Sequence, residues 1–381
     1  MRWFAAAAAG AGAVAVGGAG IGFVIARRLT APTGGRVFDL SVRDIVQHEG
    51  GDAVVLDRTA HTSAPGLYNL WLEDGGWVRI GPVVGETRDS VTRVVESTTP
   101  VGALRAGSRC SWSGIYYRDP ADAGLDAVDV VVHTPVGPAP AWLVHPSEGS
   151  GDWWTIHIHG LSSPRAGTLR GVAVAAECGL TSLVVTYRND GEGPTVGTGR
   201  STLGATEMED VRAAMHYALN HGARRIVLFG WSMGAAIALQ MAADAEFRGV
   251  VDGLVLESPV LDWQSTINAN CARAGLPAWF GVFARPWLGY RALARRIGLE
   301  SEVQLDHFDW IARADELHIP TLILHGTGDT SATHAVSKRL AGLRPRVILL
   351  ESFDADHTMT WNSDSPRWRT VVREWLDLLT K

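Results

Sequence analysis

The chain is poor in cysteine: Cys110, Cys178 and Cys271 are its only thiols in 381 residues. Three scattered cysteines make neither a disulfide framework nor a zinc cluster, and they do not fix the redox compartment. Runs of basic residues are absent and the net charge is -6, which argues against nucleic-acid binding. No internal repeat is present. Charge is also missing from Trp3 to Ala26, a stretch preceded by Arg2 and followed by Arg27 and Arg28. About 20 apolar residues suffice to cross a bilayer. This stretch therefore predicts an N-terminal membrane anchor and linker over residues 1–35, with the protein held at the cell membrane by a single pass. Secretion after cleavage of a signal peptide is the alternative. The flanking charges lean towards a cytoplasmic catalytic domain without fixing the orientation. Gly18 and Gly22 give the small-xxx-small spacing of packed helices, although so glycine-rich a stretch would show it anyway.

Glycine is plentiful, and two glycines frame the most informative serine, in Gly230-Trp231-Ser232-Met233-Gly234. The run Arg225-Ile226-Val227-Leu228-Phe229 before it has the composition of a buried strand, and the run Ala235 to Ala243 after it is rich in helix formers. The bare pattern is weak, but a serine between strand and helix is a nucleophile elbow. Glycine at both flanks lets strand and helix approach while the serine projects outward.

A serine hydroxyl needs a base to remove its proton. The run Pro320 to Gly326 predicts a strand with Asp329 just past its end, and Arg346 to Glu351 predicts another, followed by Asp354-Ala355-Asp356-His357. Residues at the ends of parallel strands meet at one edge of a sheet. These positions assign Ser232 as nucleophile, His357 as general base and then acid, and Asp329 as the carboxylate that orients it. Asp262, after the strand Leu254 to Pro259, is the rival carboxylate.

The strand-like Trp154 to His159 runs into Gly160-Leu161, and this turn places the backbone amides of Leu161 and Met233 as an oxyanion hole. His157 and His159 share a strand face, but no third ligand stands at a recognisable spacing. Neither a metal nor a cofactor is expected.

With His159-Gly160, Tyr187-Arg188-Asn189, the elbow, Glu257-Ser258-Pro259, His325-Gly326 with Asp329, and Asp356-His357 in place, the chain from about Ala127 to Lys381 resembles an α/β-hydrolase. It is similar to the serine-aminopeptidase-like and Bem46-like branches, which include lysophospholipase-like enzymes. The resemblance implies metal-independent hydrolysis of an ester, thioester or amide through an acyl-enzyme. The long N-terminal extension departs from typical members.

The remaining pattern agrees with an α/β-hydrolase fold, a mostly parallel central sheet with helices on both faces, over residues 121–381. Ala127 to His133 and Ala139 to His145 predict a strand pair, and Thr206 to Glu209 resembles a capping box before a helix. The glycine-rich stretch Gly191 to Arg200 fits no phosphate-loop spacing and predicts a mobile surface loop. An apolar insertion at 263–313 predicts a small helical cap, and Gly160, Trp231, Trp263, Trp279 and Trp287 are candidate pocket residues. Residues 36–120 form a small β-rich accessory segment, with a hairpin at Tyr68 to Ile80. The expected function is a membrane-anchored serine hydrolase acting on a small-molecule ester or lipid-like substrate, with nucleic acid excluded and oligomeric state open. A serine aminopeptidase or other amide hydrolase, an acyltransferase, and a non-catalytic binding protein on the same fold are the alternatives.

Overall fold

Local alternation of apolar and polar side chains dictates two sheets, and both form. The computed structural model describes residues 17–149 and 151–380. The β-rich segment closes on itself through strands β1 (Leu40–His48), β2 (Gly51–Asp57), β3 (Tyr68–Leu72), β4 (Trp77–Glu86), β5 (Ser90–Thr99) and β6 (Arg109–Ser113). They form a barrel in the order β1-β2-β5-β4-β3-β6. Closure removes the exposed strand edges that a small open sheet would carry. Alternate residues Val54, Leu56, Leu70, Leu72, Val78, Ile80 and Val91 fill its interior. The fully buried Arg93 donates to the carbonyls of Gly81, Thr62, Ala64 and Gly66 at 2.6–3.0 Å. Burial lowers its pKa to about 10.

The second sheet contains β7 (Ala127–Thr134), β8 (Gly137–Val144), β9 (Trp153–Ile158), β10 (Thr181–Val184), β11 (Arg225–Trp231), β12 (Val251–Glu257), β13 (Thr321–Gly326) and β14 (Ile348–Phe353). Their order is β14-β13-β12-β11-β9-β10-β8-β7. The pairs β7/β8 and β8/β10 are antiparallel, and the remaining neighbours are parallel. All six residues of β13 are buried, as befits a strand covered by helices on both faces. Between β12 and β13 stands a cap with helices Trp263–Arg273, Ala284–Gly289 and Arg291–Ile297.

The capping box expected at Thr206 does not form. The Thr206 hydroxyl pairs with that of Thr202, and Glu207 turns back to accept from Ser201 Oγ, Thr202 and Gly204. The helix Glu207–Asn220 is instead tied to the sheet by Asp210, which takes a bidentate pair from Arg188 at 2.8 Å. The glycine-rich loop is pinned at its root, where Asp190 accepts from Glu192 and Gly193 and Asn189 accepts from Val196.

The predicted N-terminal anchor finds no support in the described residues. Among the described residues no helix is long and apolar enough to cross a membrane, and residues 3–16 of the uncharged stretch lie outside the described residues. Residues 17–29 are helical and pack on the protein's own cap. Gly18, Gly22, Ala26 and Thr30 recur every fourth residue and are all buried. A side chain on Gly22 would place Cβ 1.9 Å from the Phe283 carbonyl oxygen. The Trp287 indole donates to the Ala19 carbonyl at 2.9 Å and meets Phe23 edge-on at 5.1 Å. The small-residue spacing thus lets this helix approach the cap closely. Gly22→Val, which overfills that contact at a cost of about 1–3 kcal/mol, is expected to release residues 17–35 to proteolysis with little change in the melting of the body. An unchanged cleavage rate would contradict the packing.

Candidate active site

Ser232 sits between β11 and the helix Met233–Ala243 with φ 52° and ψ -113°, a backbone conformation that L side chains avoid. Its flanks cannot carry side chains. A Cβ on Gly230 would lie 2.5 Å from Ala235 Cα, and one on Gly234 would lie 2.1 Å from the Ile158 carbonyl oxygen. Close packing around the elbow holds the strained serine outward.

The ends of β13 and β14 deliver the partners. His357 Nε2 lies 2.9 Å from Ser232 Oγ, and His357 Nδ1 lies 2.7 Å from Asp329 Oδ2. A carboxylate facing Nδ1 keeps the proton there, which leaves the Nε2 lone pair for the serine hydroxyl. Asp329 Oδ1 accepts the amides of Ser331 and Ala332 at 2.8 and 2.9 Å. Burial opposes ionisation of Asp329, but hydrogen bonds from His325 and His357 outweigh it and hold the carboxyl well below its usual range. Asp262 is absent from this chain of contacts. It caps the helix Trp263–Arg273 by accepting from Gln264 and Ser265.

His325 is a partner that the sequence matched only as part of a strand-end motif. Its Nε2 lies 2.7 Å from the Ala332 carbonyl and 3.1 Å from Asp329 Oδ2, while Ser337 Oγ lies 2.8 Å from Nδ1. The Ala332 carbonyl can only accept, so Nε2 carries a proton, and His325 shares Asp329 Oδ2 with His357.

Met233 is the first residue of its helix, where backbone amides lack intrahelical acceptors. Among the described residues, neither its amide nor that of Leu161 donates a hydrogen bond. A Cβ on Gly160 would lie 3.2 Å from Ser232 Cβ, so the turn bearing Leu161 passes directly against the serine. His157 and His159 do other work. The first is fully buried, contacts Thr155 Oγ1 at 2.8 Å, and has its pKa lowered to about 3 by burial. The second pairs with Asp190 at 3.0 Å.

A cavity of about 600 Å³ opens beside Ser232 and His357, walled by Leu161, Val260, Trp263, Ile267 and Leu276. Of the five candidate pocket residues, Trp263 alone lines it. Gly160 packs against Trp231 and Ser232. Trp231 points away into the core, where its indole donates to Glu257 Oε2 at 3.0 Å. Trp287 is taken up by the N-terminal helix, and Trp279 stays 61% exposed on the outer cap, against Phe280 and Phe283. Apolar composition marked the cap but not which face of each turn looks inward. A second cavity, about 570 Å³ and lined by Gln240, Glu302, His307 and Arg313, does not reach Ser232.

Beneath the elbow lies a buried polar network that sequence reading missed. Arg170 stands 3.5 Å from Glu257, donates to Asn362 Oδ1 at 2.8 Å, and donates to the carbonyl of Thr358, the neighbour of His357, at 2.8 Å. Asn362 in turn donates to the barrel carbonyls of Leu67 and Gly114 at 2.7 and 2.9 Å. Arg170→Met leaves Glu257 buried without its cation, so a loss of about 3–5 kcal/mol is expected in urea unfolding. Pairing it with Glu257→Gln should recover part of that loss, and equal midpoints for the single and double variants would contradict the coupling. Asp329 gives a pH signature. A depressed folded-state pKa adds stability that is complete above the ordinary value of 3.8 and disappears as pH falls further below it. Asp329→Asn should flatten that acid limb, and parallel acid-unfolding curves would show that the carboxylate contributes nothing there.

Comparison with known proteins bears on the family and the fold. The described barrel coincides with a match at residues 42–113 to a domain of unknown function, DUF8805. Two uncharacterized proteins of Mycobacterium tuberculosis, Rv2307c and MT2364, are 28% identical over 204 residues, which cover 50% of this chain and 61% of theirs. The chain thus spans about three-fifths of the length of these curated relatives. The Pyrococcus furiosus esterase Pf2001 shares the fold at TM-score 0.53 and 19% identity, over 69% of this chain and 96% of that one. The alpha/beta hydrolase family model matches residues 143–369, more than half of the sequence and the region that holds the elbow and both of its partners, and the chain belongs to that family.

Proposed function

We propose that this chain is a serine hydrolase that cleaves carboxylic esters through an acyl-enzyme, with Ser232, His357 and Asp329 as its triad. The observation that carries the reading is the unbroken relay from Ser232 Oγ to His357 at 2.9 Å and from His357 to Asp329 at 2.7 Å. His357 Nε2 takes the hydroxyl proton as Ser232 Oγ bonds to the substrate carbonyl carbon. The carbonyl oxygen gains negative charge and is received by the amides of Leu161 and Met233, each such donor being worth roughly 3 kcal/mol. Collapse breaks the bond to the alcohol, which leaves with the proton held on His357. A water then repeats the sequence, releasing the acid and restoring Ser232.

The choice of ester over aminopeptidase rests on the cavity. A free substrate amine calls for a carboxylate, and no Asp or Glu lines the space beside Ser232 among the described residues. The Pyrococcus furiosus fold neighbour is an esterase, which points the same way. Ser232→Ala is expected to keep the fold and lower ester turnover by up to about 10⁶-fold, and to abolish labelling by a fluorophosphonate probe. Equal hydrolysis of chromogenic esters by parent and variant would refute the mechanism.

A further inference from the structure

Among the described residues, the cavity beside Ser232 is lined by two guanidinium groups, Arg28 and Arg273, and by no carboxylate. The chain as a whole carries a net charge of -6, so this space runs against the average of the molecule. Some arginines elsewhere are neutralised by carboxylates. Arg188 pairs with Asp210 at 2.8 Å, and Arg212 pairs with Asp244 and Glu246 at 2.8 Å. Among the described residues Arg28 has no ion pair or side-chain hydrogen bond, and Arg273 donates only to the neutral Asn270 amide oxygen at 2.8 Å.

Docking of the N-terminal helix decides where Arg28 stands. Gly18 and Gly22 face the cap, and Arg200 clamps the helix end by donating to the Arg27 carbonyl at 2.7 Å. The adjoining face carries the i, i+4 pairs Val24 with Arg28 and Ile25 with Leu29, and all four line the cavity that contains Ser232 and His357. The helix is therefore a wall of the site, with hydrocarbon and a cation on the same face.

We propose that the N-terminal helix sets substrate selectivity: Arg28 and Arg273 bind an anionic group, carboxylate or phosphate, on the ester, while Val24, Ile25 and Leu29 pack against its hydrocarbon. This rests on the ester-hydrolase reading above. Guanidinium forks match the paired oxygens of carboxylate and phosphate, and the lack of carboxylate partners leaves both forks available. Both arginines are exposed, so solvent screens them and the preference weakens as salt rises.

Binding is tested first, in the full-length Ser232→Ala chain, with hexanoate, hexyl phosphate and hexanol as probes of matched length. At least one anion should bind more tightly than hexanol. Arg28→Gln and Arg273→Gln should each reduce that advantage about tenfold, in line with a charge-assisted hydrogen bond, and Arg28→Lys should restore part of it. Hexanol binding as tightly as both anions, or anion affinity indifferent to both glutamine variants, overturns the proposal. Turnover by the unsubstituted chain separates the two sources of charge. Preference for the p-nitrophenyl monoester of adipic acid over p-nitrophenyl hexanoate places the anion on the acyl group. Preference for monoacylglycerol phosphate over monoacylglycerol places it on the alcohol. In either case the charged-to-neutral ratio of kcat/KM should fall about tenfold in Arg28→Gln, and a ratio that does not move counts against Arg28. Arginine-dependent anion binding without Ser232-dependent turnover of any ester would refute the ester reading and leave the anion site standing.

Discussion

The helix behind Ser232 lies so close to the neighbouring strand that only hydrogen fits at residue 234, where a Cβ would come within 2.1 Å of the Ile158 carbonyl oxygen. From this approach much of the site follows. It forces the serine into its strained conformation and presents Oγ at the carboxyl edge of the sheet. It also sets the Met233 amide at the start of a helix, with no acceptor among the described residues. The parallel sheet supplies the rest, because β13 and β14 end at the same edge and bring Asp329 and His357 to the serine.

Support for the imidazole comes from further away. Arg170 links Glu257, beneath the elbow, to the segment that follows His357, and Asn362 extends the same network to the barrel. Buried charges of this kind cost solvation and are favourable only when fully paired, so the arrangement fixes a geometry more than it adds stability. The barrel then contributes to the site without presenting chemistry of its own: it holds the end of the histidine loop. Arg93 ties down the segment that leads into Leu67 by donating to the carbonyls of Thr62, Ala64 and Gly66.

Short-range signals were legible. The elbow, the strand ends before Asp329 and His357, the strand pair β7/β8 and the hairpin β3/β4 all follow from runs of apolar residues bounded by glycine or turn residues. Contacts between distant segments were not. Arg170 and Asn362 are 192 residues apart, and no periodicity announces their pairing. The aromatic residues of the cap showed only that apolar surface had to be covered somewhere. Trp287 covers the N-terminal helix, Trp231 fills the core, and the cavity takes Trp263. The uncharged N-terminus was the most ambiguous signal. Its low charge fits a membrane segment and equally a small-faced helix laid against a protein surface, and residues 17–29 adopt the second form. Hydropathy measures the dislike of water and not what replaces it.

The central claim is that Ser232 Oγ becomes covalently bonded to the acyl group. Mass spectrometry of the intact chain, quenched during reaction with a slowly deacylating ester, tests this directly. The account predicts a mass increase of one acyl group, mapped by fragmentation to the peptide containing Ser232. An adduct on any other residue, or turnover with no adduct under conditions that trap acyl-enzymes, would contradict it.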